Sequence, residues 1–256
     1  MRYVISKKVD PFFTSVYDSF LFIIRFFREL FKPPYEFNEL VRQCYEVGVR
    51  SFPLITVTGL ITGLVFTKQS RPSLAEFGAE SWLPSLVGIA VIKSLAPLVT
   101  ALICAGKVGS SMGAELGSMR VTEQVDAMDV SGVNAFKYLV VSRVLATSLM
   151  LPMLMMYAAF VGLMGSYIDI AANDQTSLTA FFQRAFEKIT FIDFFSTVFR
   201  SMVFGFTIGI IGCFKGWNTT GGTQGVGKSA NLAVVVSMFL IFIEEMVIIQ
   251  IVGWFR

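Results

Sequence analysis

Five stretches of the chain are apolar over about the length of helix that crosses a bilayer, roughly 20 residues: 51–67, 84–104, 139–168, 192–214 and 232–254. Charged and small polar residues collect between them, so the pattern predicts five transmembrane helices. A sixth stretch, 11–31, reads PFFTSVYDSFLFIIRFFRELF. Here Phe13, Val16, Tyr17, Phe20 and Ile24 recur near helical spacing, while Asp18, Arg25, Arg28 and Glu29 interrupt them. A helix of that kind is expected to lie along the membrane surface. Pro33 and Pro34 end it, because proline lacks an amide proton and restricts the residue before it. A more polar stretch, 35–50, leads into the first span. The expected fold is all-α: a polytopic membrane protein with about five transmembrane helices, preceded by an N-terminal interfacial amphipathic helix. It divides into interfacial and elbow helices over 1–50 and a transmembrane domain over 51–256.

Composition agrees with this pattern. The chain of 256 residues is 54% hydrophobic and 15% charged, where soluble domains carry about 25% charged residues. Mean hydropathy is +0.67. The net charge of +3 is spread along the chain, which argues against nucleic acid as a partner. Cys44, Cys104 and Cys213 are far apart and imply neither a disulfide framework nor a metal cluster. There is no histidine, so imidazole-dependent hydrolysis and His-ligated zinc are excluded. The opening residues, MRYVISKKVDPFF, contain no apolar run before a small-residue cleavage site, and the spans are expected to direct insertion. With the N-terminus inside, 14 Lys/Arg fall on the inner side and five on the outer; the positive-inside rule therefore places the N-terminus in the cytoplasm, and the segment 107–137 with it.

Small residues also recur at helical spacing. Ala101, Ala105, Gly109, Gly113 and Gly117 form an unbroken row of every fourth residue, the kind of stripe that lets helices approach closely in lipid. This row is the better candidate for the seam of a homodimer or a hinge; Gly59 with Gly63, Gly205 with Gly209 and Gly212 with Gly216 read either as packing within one subunit or as a dimer contact.

Residues 222–229, GTQGVGKS, match the phosphate-binding loop G-x-x-x-x-G-K-[ST]. Such a loop must join a strand to a helix in a doubly wound sheet. Here span-length apolar runs lie on both sides, so a Gly-rich cytoplasmic turn is expected instead. Glu244 with Glu245 imitates an intramembrane protease pair, but that chemistry also needs histidine. Neither motif makes the chain an enzyme.

The most distinctive words lie after the second span: AGKVGSSMGAELGSMRVTEQVDAMDVSGV, 105–133. Glu115, Arg120, Glu123, Asp126 and Asp129 alternate there with Met112, Leu116, Met119, Val125 and Met128, as in a helix at the membrane face with one greasy side. This segment, GTQGVGKS and the order of helices resemble the MlaE/YrbE family of ABC-transporter permeases, over nearly the whole chain from about Phe37. The resemblance implies a non-catalytic, homodimeric inner-membrane subunit that moves phospholipid or a related amphiphile. Its implied partners are a cytoplasmic ABC ATPase, which binds ATP and magnesium, and a periplasmic MCE-domain protein; no cofactor is expected on this chain. It also makes 107–133 the coupling segment, with Glu115, Met119, Arg120, Glu123 and Asp126 as ATPase contacts: acids for a basic groove rim, methionine for an adaptable apolar contact. Where relatives often carry Arg-Glu and then Gly-Pro in the second span, this chain reads Lys93-Ser94-Leu95-Ala96-Pro97.

Lys93, Arg200, Glu244 and Glu245 lie within spans, where unpaired charge is expensive. At a rise of about 1.5 Å per residue, Lys93, Arg200 and Glu244 each fall roughly 12 to 13 Å from the outer end of their helices. They are expected to form one polar cluster that braces the bundle or lines a headgroup cavity. Two other readings predict different features: an ion-driven transporter predicts an internal repeat of spans, which the sequence lacks, and a structural scaffold predicts no partner ATPase.

Overall fold

The structure is a computed structural model that describes residues 6–33, 35–174 and 176–254. Pro34, and the Arg2 and Arg256 of the charge count, lie outside these residues. Among the described residues there is no strand, and five helices are long and apolar enough to span a membrane. In chain order the elements are α1 (Ser6–Leu30), α2 (Phe37–Glu76), α3 (Glu80–Val121), the short α4 (Gln124–Val130), α5 (Lys137–Asn173), α6 (Leu178–Glu187), α7 (Phe191–Trp217) and α8 (Gly222–Trp254). The two ends of the bundle are distinct. The α1, α4 and α7–α8 connections sit at one, called here the basic end, and the α2–α3 connection and α6 sit at the other.

The spans extend well beyond their apolar cores. The polar stretch is helical from Phe37 onward, and α2 runs from there into the first span. One tight turn, Val49–Ser51, falls where the interfacial and transmembrane portions meet. This portion is amphipathic: Glu39 and Gln43 are buried, with Glu39 accepting from Tyr138 of α5 at 3.1 Å, while Val41, Tyr45 and Val49 face outward. Residues 222–229 likewise form the first two turns of α8 rather than a loop; the turn itself is made by Gly221 and Gly222, at φ 85° and 68°.

Helices α3, α5 and α7 form the centre. Close approaches there need glycine: a Cβ on Gly63 of α2 would lie 1.8 Å from the Gly162 carbonyl of α5, and one on Gly205 of α7 would lie 2.5 Å from the Thr147 carbonyl. The small-residue row of α3 is spent the same way. A Cβ on Gly113 would meet Ala230 and Ala233 of α8, one on Gly117 would meet Thr219, and Gly212 of α7 packs on Gly109; Ala101 and Ala105 are fully buried. The row is therefore an internal seam of one subunit rather than an open dimer face, because two helices of the same chain already occupy it.

Helix α3 is interrupted by two π turns, Val91–Leu95 and Ala105–Gly109. The first precedes Pro97, which cannot donate to the carbonyl four residues back, that of Lys93. Arg200 of α7 donates to it instead, at 3.1 Å.

Helix α1 uses two apolar faces. Phe22 and Phe26 are buried, Phe22 making edge contacts with Phe136 and Phe214 at ring-centroid distances of 5.0 and 5.4 Å. The residues that marked its amphipathic pattern, Phe13, Val16, Tyr17, Phe20 and Ile24, face outward. Outer helices α2 and α8 are each 22% buried over their most apolar stretch, against 72% for α7. Val57, Ile61 and Val65 of α2, and Val235, Phe239, Phe242 and Met246 of α8, are left exposed on them.

Candidate functional site

The intramembrane charges meet where α3, α7 and α8 pack. Arg200 Nη1 donates to Glu245 Oε1 at 2.7 Å, and the side chains retain 6% and 11% of their surface. Lys93 Nζ lies 2.6 Å from Asp193 Oδ2. The two pairs are joined through the Lys93 carbonyl, which accepts from Arg200. Glu244 stands apart from them and accepts from Thr207 of α7 at 2.5 Å. The sequence placed Lys93, Arg200 and Glu244 at one depth and expected Glu245 in the same cluster; the structure puts Lys93, Arg200 and Glu245 in one network and turns Glu244 toward a neighbouring threonine.

Asp193 is the member the sequence reading passed over. It also closes a capping box: its carboxylate accepts from the Thr190 amide at 3.1 Å, and its own amide donates to the Thr190 hydroxyl. The signal was present as Thr-x-x-Asp before an apolar run. A cavity of about 260 Å³ opens beside this network, lined by Lys93, Asp193, Ser196, Thr197 and Arg200 with Val252 on its apolar side. Each charge has a counter-charge within hydrogen-bonding reach, so the network places polar surface inside an apolar wall without leaving an isolated ion.

The second group of predicted residues lies at the basic end. Helix α3 continues to Val121 and then breaks at Glu123, whose φ of 58° is the one positive value among described non-glycine residues. Chain direction changes there, and α4 projects as a knob. Arg120 Nη1 donates to Asp126 Oδ1 across the break at 2.5 Å; the nearer Glu123 is not its partner. Val125 anchors the knob at 1% exposure, while Asp126 and Asp129 face outward and Val130 is 90% exposed.

Met119 and Met128 pack against the core. The greasy side of this segment therefore holds the knob to its own bundle, and its outward apolar contact is Val130. Glu115 lies about two turns before the break. It accepts from Ser111 at 2.8 Å and from the buried Arg143 of α5 at 3.2 Å, a partner the sequence did not disclose.

The stretch between the knob and α5 is tied to α1 and the residues just after it. Asn134 donates to Glu29 at 3.0 Å, Lys137 donates to the Lys32 carbonyl, and the Arg25 guanidinium sits 4.1 Å above the Phe136 ring. The hydrogen bond from Lys32 is the main reason the Glu29 carboxyl is held below the usual carboxylate range.

Residues 40–251 match the family described as Permease MlaE. The chain is 33% identical over 251 residues to a probable ABC transporter permease protein of Rickettsia prowazekii, covering 98% of this chain and 97% of that protein. It is 38% identical over 205 residues to a probable ABC transporter permease protein of Synechocystis sp., covering 80% and 78%. The protein Trigalactosyldiacylglycerol 1, chloroplastic, of Arabidopsis thaliana is 32% identical over 219 residues, 86% of this chain and 63% of that protein.

Proposed function

Because the chain belongs to the MlaE permease family and is the membrane-spanning subunit of an ABC transporter, we propose that its cargo is a phospholipid or related amphiphile, passed between the inner membrane and a periplasmic MCE carrier. In this reading two copies pair, and a separate cytoplasmic ABC ATPase hydrolyses ATP. The observation that carries the reading is the uncovered apolar surface of α2 and α8 on either side of α3. Two such surfaces facing each other enclose a channel walled by Ile61, Val65, Phe239 and Phe242, which suits acyl chains. The paired charges around Lys93 and Arg200 supply polar contacts at one level of that wall. A relative named for a diacylglycerol glycolipid supports the same cargo class.

The exposed knob with Asp126, Asp129 and Val130 is the surface offered to the ATPase. Asp129 accepts from the Ala135 amide, and the residues beside it are tied to α1 and lead into α5, which gives a stroke delivered there a route into the spans. With the basic end in the cytoplasm, as the distribution of Lys and Arg favours, the Lys93–Arg200 cavity belongs to the outer half.

The test is purification through a C-terminal epitope followed by transfer of a fluorescent phospholipid from proteoliposomes. Stoichiometric recovery of an ABC ATPase and ATP-dependent lipid transfer support the reading. Recovery of the chain alone, or ATP-dependent movement of a water-soluble solute with no lipid transfer, refutes it.

A further inference from the structure

A second cavity, of about 470 Å³, opens at the basic end between the start of α2 and the end of α3. Its size lies within the range of small-ligand sites. Three cations line it, Arg42, Arg50 and Lys107, with the carboxylates Glu46 and Glu115. Both carboxylates are already engaged within the protein: Glu46 lies 2.6 Å from Arg50, and Glu115 holds Ser111 and the buried Arg143.

The cations are less fully used. The Arg42 and Arg50 side chains are each 65% exposed, and their ion pairs with Glu39 and Glu46 each engage one guanidinium nitrogen, where the group offers five donors. Lys107 is oriented by the Arg50 carbonyl and the Ser51 hydroxyl. Val47 and Met112 form the apolar floor.

Two further features fix the ligand class. First, this part of α2 turns Val41, Tyr45 and Val49 outward and its polar side toward the cavity, which sets the cavity at the boundary between hydrocarbon and water. A polar cup beside the outward apolar face of α2 suits the two ends of an amphiphile. Second, Lys107 is the central residue of the π turn Ala105–Gly109, as Lys93 is of Val91–Leu95. Such turns are frequent at functional sites. Each of these two lysines, about 21 Å apart along α3 at its helical rise, lines its own cavity.

We propose that the Arg42–Arg50–Lys107 cavity binds the phosphate of a glycerophospholipid headgroup taken from the leaflet at the basic end, with the acyl chains running along the outward apolar face of α2. The lipid source rests on the permease reading above; the phosphate chemistry rests on the cavity alone.

The test measures the melting temperature of the purified full chain in detergent against increasing dihexanoylphosphatidylethanolamine, dihexanoylglycerol and inorganic phosphate. Wild type is compared with R42Q/R50Q, whose altered side chains are largely exposed, and with R184Q at the other end. The expected result is a saturable stabilisation by the phospholipid and none by dihexanoylglycerol. Affinity should be about tenfold or more weaker in R42Q/R50Q and unchanged in R184Q. Equal stabilisation by dihexanoylglycerol, or an unchanged affinity in R42Q/R50Q, overturns the site. Inorganic phosphate binding as tightly as the phospholipid overturns its assignment to lipid. Lack of any phosphate response in a chain that still recovers its ATPase removes the site and leaves the permease reading standing.

Discussion

Replacing Glu245 with alanine strips the Arg200 guanidinium of its counter-charge in a place where little water can reach. Arg200 keeps 6% of its side-chain surface and, besides Glu245, donates to the Lys93 carbonyl. A single carbonyl dipole does not balance a full charge. Removing one partner of a buried ion pair costs about 3–5 kcal/mol, most of it the penalty on the ion left behind. At 1.4 kcal/mol per factor of ten, the ratio of folded to unfolded protein should fall by roughly a hundredfold to several thousandfold. Glu245→Gln keeps the shape and one hydrogen bond and should cost less, about 1.5–3 kcal/mol.

The double variant Arg200→Met/Glu245→Leu removes both charges and fills similar volume, so it should recover most of the loss and give a strongly favourable coupling energy. Reversible denaturant unfolding in mixed micelles, run as a double-mutant cycle, measures all three. A cost below 1 kcal/mol for Glu245→Ala, or a double variant as unstable as the sum of the singles, would refute the reasoning. Transport by the double variant then separates two roles: restored stability with intact lipid transfer means the pair only braces α7 against α8, whereas restored stability without transfer means its charges face the cargo.

Three further outcomes are expected. A cysteine placed at Ser118 should react with a membrane-impermeant maleimide only from the cytoplasmic side; labelling from outside intact cells inverts the topology. Gly63→Ala should destabilise α2 against α5 by about 1–3 kcal/mol, since its new methyl would sit on the Gly162 carbonyl, whereas Gly227→Ala, with open space at its Cβ position, should leave the melting temperature within a degree or two. Glu123→Gly should keep or raise stability by up to about 1 kcal/mol by relieving the left-handed backbone; ATPase stimulation that survives this change assigns Glu123 a purely conformational role, and its loss with stability intact assigns the carboxylate to the contact.

The spans were legible in the sequence because hydrocarbon leaves so few choices of residue over 20 positions. Their ends were not: helix α2 starts 14 residues before its apolar core, since an amphipathic helix at the interface satisfies its backbone as well as a buried one and leaves no break in composition. The depth of Lys93, Arg200 and Glu244 followed from helical rise alone, but depth does not fix azimuth, and a rotation of about 100° per residue separates Glu244 from Glu245, the one that meets Arg200. Asp193 escaped because it sits at a helix start, where an acid is ordinary. For the methionines of 105–133, periodicity gives a greasy side without saying which body covers it, and the chain's own core covers Met119 and Met128. The same ambiguity affected the α3 glycine row, which the chain's own α7 and α8 claim.

Helix α3 is 42 residues long, about 63 Å at its helical rise, roughly twice the thickness of the hydrocarbon it crosses. A rod of that length is a lever: tilting it by 5° about its middle swings each tip by nearly 3 Å in opposite senses. Its two π turns, each adding one residue to a turn, are the compliant joints, and both carry a lysine. If the knob takes a stroke from an ATPase, as proposed above, that stroke would meet Lys107 before Lys93, and the stiffness of the segment 96–104 between the joints would set how much of it reaches the far half.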